Sequence, residues 1–220
     1  MASSILDLEK DGAQRHPRAV HAGDLALVEE QIGALAAHRP GVRAPAAVLS
    51  GLETMTAIAA DAIGNGARPV RAVLFDKSAG VNWNLGWHQD RTIAVRARRE
   101  VAGFGPWSTK AGLQHVEPPF AIIESMVTAR LHLDPVDADN APLRIAPGSH
   151  RLGRVPVDQI GAKVAELGEG ECLADRGDVW LYATPILHAS SPAVKPRRRR
   201  VLQIDFSAQN LPGGLEWLGV

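Results

Sequence analysis

The chain has few of the features that mark secreted and membrane proteins. It contains a single cysteine, Cys172, which excludes an internal disulfide and fits a reducing compartment. No apolar run approaches the roughly 20 residues that span a bilayer. The first ten residues lack a basic region followed by an apolar stretch, so we expect no secretory signal. We therefore expect a cytoplasmic protein with no membrane partner.

The chain also lacks net charge, since 24 Lys and Arg residues balance 24 Asp and Glu residues. This balance gives no overall attraction to nucleic acid or to anionic membranes. Four consecutive arginines, 197–200, form the main basic run, and we interpret at least two of them as a solvated strand edge. The only other basic cluster is small, at residues 96–99. We expect no nucleic-acid partner.

The first third of the chain predicts helices. At 220 residues the chain is most simply one domain, in which residues 1–66 form a helical support. Capping residues and apolar spacing define three predicted helices. The first, 4–11, is capped by Ser3 or Ser4 and ended by Gly12. The second, 24–38, is capped by Asp24 and has on one face Leu25, Val28, Ile32 and Leu35. The third, 51–63, is capped by Ser50 and has on one face Leu52, Met55, Ile58, Ala59 and Ala62.

From residue 68 the pattern changes to short strands with turn signals between them, which favours a sandwich or barrel with helices packed outside. The segment 96–119, rich in Gly and Pro, is expected to be a long irregular loop. In 125–134, apolar residues alternate with polar residues that either meet water or line a polar cavity. Strands are predicted at 70–75, 125–134, 170–174, 178–183 and 198–207, and a further helix near 157–167.

Residues 87–90, Trp-His-Gln-Asp, are the stretch most suggestive of chemistry. His88 and Asp90 are two residues apart, just ahead of a β-rich run, and in a strand such residues point the same way. Two histidines and one carboxylate on one face of an ion are typical of non-haem Fe(II) oxygenases. The third ligand must come from far along the chain, and His188 is the best candidate. A lone His-x-Asp pattern is more often a surface turn or a satisfied polar pair.

Three stretches together resemble the phytanoyl-CoA dioxygenase-like family of Fe(II)- and 2-oxoglutarate-dependent oxygenases. They are residues 87–90, residues 140–150 around a Pro-Gly-Ser-His core, and residues 188–206. The resemblance covers about residues 68–207. It implies a mainly β fold for that core, a double-stranded β-helix or jelly-roll (cupin-like) barrel, with the N-terminal helices packed outside. It also implies Fe(II), 2-oxoglutarate as cosubstrate, and O2.

The resemblance also assigns roles to residues. It implies that His88, Asp90 and His188 hold iron, and that Arg199, eleven residues after the last histidine, binds the far carboxylate of 2-oxoglutarate. Ser190 is implied as a second contact to that carboxylate. An arginine fork suits a carboxylate, which supports Arg199 independently. If the strand register slips by one residue, its neighbour in the arginine run takes the role.

Further residues are candidates for the site. Candidate contacts to the cosubstrate are Arg130, Thr128, Lys77 and Asn82. For a substrate pocket with aromatic walls and cationic groups, suited to a small carboxylated metabolite, they are Trp83, Trp87, Trp107, Lys110 and His115.

The implied activity is oxidation of a small-molecule metabolite, with release of succinate and CO2. Related halogenases replace the carboxylate ligand with a small residue, so Asp90 favours hydroxylation or another oxidation over halogenation. Two alternatives stay open: a metal-dependent cupin-like isomerase or hydrolase that does not use 2-oxoglutarate, and a non-catalytic binding module on the same barrel. The pattern leaves the substrate and the oligomeric state open.

Overall fold

The computed structural model describes residues 6–33, 41–43 and 53–220. These residues form thirteen strands and five α-helices. The strands are β1 (Ala13–His16), β2 (Val42–Arg43), β3 (Arg68–Lys77), β4 (Leu85–His88), β5 (Ile93–Val95), β6 (Trp107–Lys110), β7 (Leu113–Val116), β8 (Val127–His132), β9 (Leu143–Ile145), β10 (Gly170–Cys172), β11 (Val179–Ala183), β12 (His188–Ser190) and β13 (Arg199–Ser207). The helices are α1 (Leu8–Asp11), α2 (Ala22–Ile32), α3 (Glu53–Ile63), α4 (Phe120–Glu124) and α5 (Ile160–Leu167). Within the described ranges, no helix is both long enough and apolar enough to cross a membrane.

Two antiparallel sheets form the barrel. The larger sheet has the order β1-β11-β8-β13-β3-β2, and the smaller has the order β10-β9-β12-β4. Their inner faces pack on each other: Trp180 and Tyr182 of the larger sheet share a buried cluster with Leu143, Ile145 and Cys172 of the smaller. The mainly β fold, a double-stranded β-helix, confirms the expected fold class.

Alternation along the central strands separates an outer apolar face from an inner polar one. On β13, Leu202, Ile204 and Phe206 point outward into the largest hydrophobic cluster, which also contains residues of α2 and α3. The N-terminal helices therefore cover the outside of the larger sheet, as expected. The inward residues of β8, Thr128 and Arg130, are buried, so the polar face of this strand lines the interior and does not meet water.

The segment 96–119 is not the irregular loop that its Gly and Pro content predicted. Strands β6 and β7 form a hairpin, and β7 also pairs with β5 in a third, three-stranded sheet. The turn residues Ala111 and Gly112 both have positive φ, 51° and 80°, which matches the twist of a two-residue hairpin. The expectation was wrong for two reasons. Alanine at position 111 gives no sequence signal of a positive φ, and strands of only four residues show little alternation.

The helix boundaries also differ from expectation. Helix α2 begins at Ala22 with His21 at its N-cap, so Asp24 lies in the first turn, where a carboxylate favours the helix dipole, and does not cap the helix. Helix α1 begins at Leu8 with Asp7 at its N-cap and is therefore shorter than the predicted 4–11, whereas its C-cap at Gly12 is as predicted. Ala62 is exposed and does not share the buried face of α3. The predicted contributions of Ser3, Ser4, Leu35, Ser50 and Leu52 fall outside the described residues.

Candidate functional site

The three predicted metal-ligating side chains meet at one end of the barrel. Strands β4 and β12 pair so that His88 lies opposite His188, with their ring centroids 4.3 Å apart. Asp90 lies two residues beyond the end of β4. One ligating atom from each of the three residues lies within 4.8 Å of the others. Asp90 is not in a strand, so a turn and not strand alternation brings it beside His88.

Both histidines are oriented by backbone carbonyls. His88 Nδ1 lies 2.8 Å from the Gly86 carbonyl oxygen, and His188 Nδ1 lies 3.0 Å from that of Ile186. A carbonyl oxygen only accepts hydrogen bonds, so each Nδ1 carries the proton. Each Nε2 is then left with a free lone pair, which is the arrangement found in histidines that bind metals.

The charges of the group suit ligation as well. Burial lowers the pKa of His188 to about 4, so its ring is neutral near pH 7. Burial alone would raise the pKa of Asp90, but at the low pH where Asp90 titrates the protonated ring of His188 and the guanidinium of Arg71 outweigh burial and lower that pKa. A neutral imidazole and an ionised carboxylate are the forms that bind metal ions.

Gln89, between the two residues of the His-x-Asp pair, fixes the turn. Its Nε2 donates to the carbonyls of Gly153 (3.0 Å) and Pro185 (2.8 Å), and its Oε1 accepts from the Val155 amide (2.9 Å). It therefore links the turn to two distant segments, one of which leads into β12. Sequence reasoning missed this role because the partners lie 64 to 96 residues away.

The Pro-Gly-Ser-His stretch also supports the site from behind. Ser149 Oγ accepts from the amide of Leu187 at 2.8 Å, and the Leu187 carbonyl accepts from the amide of Ala146 at 2.9 Å. These contacts hold the residue immediately before His188. The motif thus positions a candidate ligand without touching the metal position itself.

A cavity of about 80 Å³ opens between the two sheets and includes all three candidate ligands in its lining. Apolar walls come from Phe75, Trp83 and Leu143, and Ser190 is also exposed to the cavity. The remaining lining is strongly cationic, with Arg71, Arg130 and Arg199.

Arg199 is the inward member of the arginine run. The residue is only 2% exposed, it donates to the Ala141 carbonyl, and its Nε has no hydrogen-bond partner among the residues that the structure describes. Burial, with a contribution from Arg130, lowers the pKa of Arg199 to about 9. The other three arginines pair with carboxylates outside the cavity: Arg197 with Asp137, Arg198 with Asp76, and Arg200 with Asp134 and Glu29.

Lys77 lies directly opposite Arg199 in the pairing of β3 with β13. It is 2% exposed, and its Nζ donates to Ser190 Oγ (3.2 Å) and to the Ser191 carbonyl (2.8 Å). Burial, followed by the charges of Arg199 and Arg130, lowers the pKa of Lys77 to about 7. Among the described residues, none of these three cations has a carboxylate partner, which is unusual for buried charge.

A hydrogen-bonded network forms the floor of the cavity. Arg130 donates to Gln203 Oε1 at 2.7 Å, and Gln203 Nε2 donates to Asp205 at 3.3 Å. Thr128 lies behind the cavity lining and donates to Asp205 at 3.1 Å. Asp205 also pairs with Arg71 at 2.8 Å. Sequence reasoning missed Arg71, although it shares the inward face of β3 with Val73, Phe75 and Lys77.

Several candidates lie away from the cavity. Asn82 bonds the backbone of Ala193 with both its amide atoms, at 3.1 and 2.7 Å. Trp87 packs beside α5, with Arg144 over its ring, and Trp107 faces the cluster behind the three-stranded sheet. These predicted pocket residues therefore serve packing, whereas Trp83 lines the cavity and stacks under Lys77 Nζ at 4.9 Å. The remaining two pocket candidates, Lys110 on β6 and His115 on β7, do not line this cavity.

Comparisons with known proteins agree on family and fold. A profile of the phytanoyl-CoA dioxygenase (PhyH) family matches residues 9–201. The search of curated protein sequences gives no significant match. AviO1 from Streptomyces viridochromogenes Tue57 is similar in structure, with a TM-score of 0.66 and 17% identity over 94% of this chain and 92% of that one.

Two further similar structures are those of a protein with 2-oxoglutarate bound and of an epimerase. HygX from Streptomyces hygroscopicus, with nickel and 2-oxoglutarate bound, has a TM-score of 0.62 and 14% identity over 91% of this chain and 84% of its own. SnoN, a non-heme alpha-ketoglutarate-dependent epimerase from nogalamycin biosynthesis, has a TM-score of 0.64 and 16% identity over 94% and 87% of the two chains. At such identities the likeness shows the shared fold.

We predict that Gln89→Leu lowers the free energy of unfolding by about 2–4 kcal/mol, because it leaves the Val155 amide and two carbonyls buried without partners. Urea denaturation measures the loss, and hydrogen exchange at the Val155 amide should accelerate. In Gln114→Leu, a matched change at an exposed hydrogen bond, stability should shift by no more than about 0.5 kcal/mol. Equal effects of the two substitutions would refute the anchoring role of Gln89.

Proposed function

The chain belongs to the phytanoyl-CoA dioxygenase family, and from that premise we propose that it is an Fe(II)- and 2-oxoglutarate-dependent dioxygenase that hydroxylates a small molecule. One observation carries the proposal. A cluster of two histidines and a carboxylate lies at one end of a cavity, and unpaired buried cations lie in the same cavity.

The donor set fits Fe(II). His88, Asp90 and His188 would hold the ion through two Nε2 atoms and a carboxylate oxygen, and this set leaves other coordination positions open. The hydrogen bonds at each Nδ1 fix the tautomer that ligation needs. A carboxylate at position 90 favours hydroxylation over halogenation, because it fills the place that a halide would take.

The cationic part of the cavity fits the far carboxylate of 2-oxoglutarate. Arg199 presents a guanidinium with an unsatisfied Nε, and a planar fork matches a carboxylate. Ser190 and Lys77 are already bonded to one another and provide a hydroxyl and an ammonium beside it. Arg130, whose Nε also lacks a partner, adds a further charge from the opposite strand. Thr128 supports the network from behind, and Asn82 supports the connection between β12 and β13.

When bound, iron, 2-oxoglutarate and dioxygen supply the oxidising chemistry, with succinate and CO2 as by-products. The chain supplies position, charge and shielding. Phe75 and Leu143 keep water from the cavity walls, and the floor network around Gln203 holds Arg130 in place. The low dielectric of this interior strengthens each contact between a cation and a carboxylate.

Two alternatives are less well supported. A cupin-like isomerase or hydrolase without 2-oxoglutarate has no use for Arg199 and Lys77, whose burial without a carboxylate partner among the described residues costs stability. A non-catalytic binding module has no need for three ligating groups aimed at one point. We further propose that residues 1–220 act as one cytoplasmic unit, in which residues 1–66 support the 68–207 barrel. The buried thiol of Cys172, whose pKa burial raises to about 12, is consistent with a reducing compartment.

The deciding experiment is anaerobic titration of the Fe(II)-loaded protein with 2-oxoglutarate, followed by visible absorption. We expect a weak charge-transfer band, because a keto acid that chelates iron produces one, and we expect His88→Ala to abolish the band. Iron binding without a band would favour the cupin-like alternative. Absence of iron binding would favour the binding module.

We predict that Arg199→Ala raises the 2-oxoglutarate concentration needed for half-saturation by about 10- to 100-fold, because a charge-assisted hydrogen-bond pair is lost. Arg198→Ala is the matched control. It removes an exposed pair with Asp76 outside the cavity, so its effect should be about twofold or less. Titration of the same absorption band measures both. A larger effect of Arg198→Ala than of Arg199→Ala would show that the assignment of the cosubstrate contact to Arg199 is wrong.

We predict that 2-oxoglutarate binding weakens as pH rises through about 7, since Lys77 loses its proton there and the carboxylates of the ligand stay ionised. The dissociation constant should rise by up to about tenfold per pH unit above that point. Lys77→Met should bind weakly at every pH, with a flat profile. Lys195→Met, an exposed lysine paired with Asp139, should keep the wild-type profile. A flat wild-type profile would show that Lys77 does not contribute its charge.

A further inference from the structure

The three-stranded sheet presents a second polar face beside the site. Ile93, Val95 and Val116 face the hydrophobic cluster behind this sheet. The pairing of His115 with Ala94 and with Ser108 places these three residues on the opposite face. Lys110 and Leu113, paired at the end of the hairpin, share that same face, because residues two apart in a strand point the same way. On this face Ala94 and His115 are buried, whereas Ser108 and Lys110 are exposed.

Contacts place this face next to Asp90, the candidate ligand at the barrel mouth. Lys110 Nζ lies 3.4 Å from Thr92 Oγ1. Thr92, Asp90 and Arg71 line one small cavity of about 10 Å³, the volume of a single water molecule. Burial is the main cause of the lowered pKa of His115, and the charges of Lys110 and Arg71 lower it further. Three strands, β3, β6 and β7, therefore contribute nitrogen-bearing side chains to one place.

The charge at this place is not balanced. Lys110 donates to the Thr92 hydroxyl, and in the part of the chain that the structure describes it forms no salt bridge with a carboxylate. Arg71 pairs through its Nε with Asp205. The charge of Lys110 contributes to the lowered pKa of Asp90, which the proposed function commits to the metal. An exposed ammonium and an arginine together form a recognition site for anionic oxygen atoms, whereas His115, whose Nδ1 donates to the Leu113 carbonyl, presents an Nε2 that accepts a hydrogen bond.

We propose that Lys110 and Arg71 form the substrate subsite, which binds a carboxylate or phosphate group of the small molecule that is oxidised, and that His115 beside them accepts a hydrogen bond from a donor group of the same molecule. The proposal rests on the proposed function, because the subsite is defined by its position beside the metal-ligating Asp90. Lys110 and His115 belong to the three-stranded sheet, whereas Arg199 and Lys77 belong to the barrel. Lys110 is therefore separate from the cosubstrate contacts, whereas Arg71 lies between the two groups because it also lines the barrel cavity, and the substrate is anchored at the barrel mouth.

The test uses the full-length protein loaded with Mn(II) and saturated with 2-oxoglutarate under nitrogen. Inorganic phosphate and, separately, acetate are titrated in, and their ³¹P and ¹³C relaxation is measured. We expect a saturable paramagnetic enhancement for at least one anion, because the subsite is close to the metal. Lys110→Met should weaken the apparent affinity by about tenfold. Lys163→Met, the same change at a helix lysine paired with Glu166, should leave the affinity unchanged.

The outcomes separate the two proposals. An enhancement with one anion and not the other supports the subsite and identifies the group it takes. No saturable enhancement with either anion, or a Lys110→Met titration equal to wild type, overturns the subsite. An enhancement that falls as 2-oxoglutarate is raised also overturns it, since the anion then occupies the cosubstrate position. Failure of Mn(II) or 2-oxoglutarate to bind at the start refutes the proposed function itself.

Discussion

Buried positive charge without a matching carboxylate is the constraint around which the barrel interior is organised. Arg199, Lys77 and Arg130 are each no more than 6% exposed, and removal of an ion from water costs on the order of several kcal/mol. The protein offsets part of that cost with neutral acceptors: the Ala141 carbonyl, the Ser191 carbonyl and the Gln203 amide. The lowered pKa of Lys77, about 7, shows the remaining cost, and a bound carboxylate, as proposed above, would offset it.

Backbone groups and uncharged side chains hold the candidate metal ligands in place. Two carbonyls set the histidine tautomers, Gln89 sets the turn to Asp90, and Ser149 sets the residue before His188. These partners are neutral, so they fix geometry and leave the charge of the site to the ligands themselves. The Pro-Gly-Ser-His stretch therefore belongs to the site although none of its side chains lines the cavity.

The barrel and the three-stranded sheet have different roles in this arrangement. The barrel carries the candidate metal and cosubstrate contacts, and proteins with the same fold include a described epimerase. A fold that serves several reactions does not specify a substrate. In this chain Lys110, on the polar face of the three-stranded sheet, contacts Thr92, two residues from Asp90. Under the proposal of a substrate subsite, this face is where the enzyme selects its substrate.

The sequence by itself determined the features that depend on local spacing. The His-x-Asp pair, the later histidine with its arginine eleven residues on, and the alternation along β8 and β13 are visible in the chain, and they led to the family and fold class. The helix end at Gly12 was predictable for the same reason, since its backbone conformation, with φ of 81°, is one that glycine adopts readily.

Only the tertiary structure decided which residues share a place. It brought His188 opposite His88 across 100 residues, turned Arg199 inward while its three neighbours found carboxylates outside, and formed the β6–β7 hairpin from a segment that looked irregular. It also removed Trp87 and Trp107 from the cavity, added Arg71 and Gln203 to its lining, and made Gln89 an anchor of the segment that leads to Asp90. The physical reason is that burial and partner choice are set by strand pairing between distant segments, and local residue patterns do not encode that pairing.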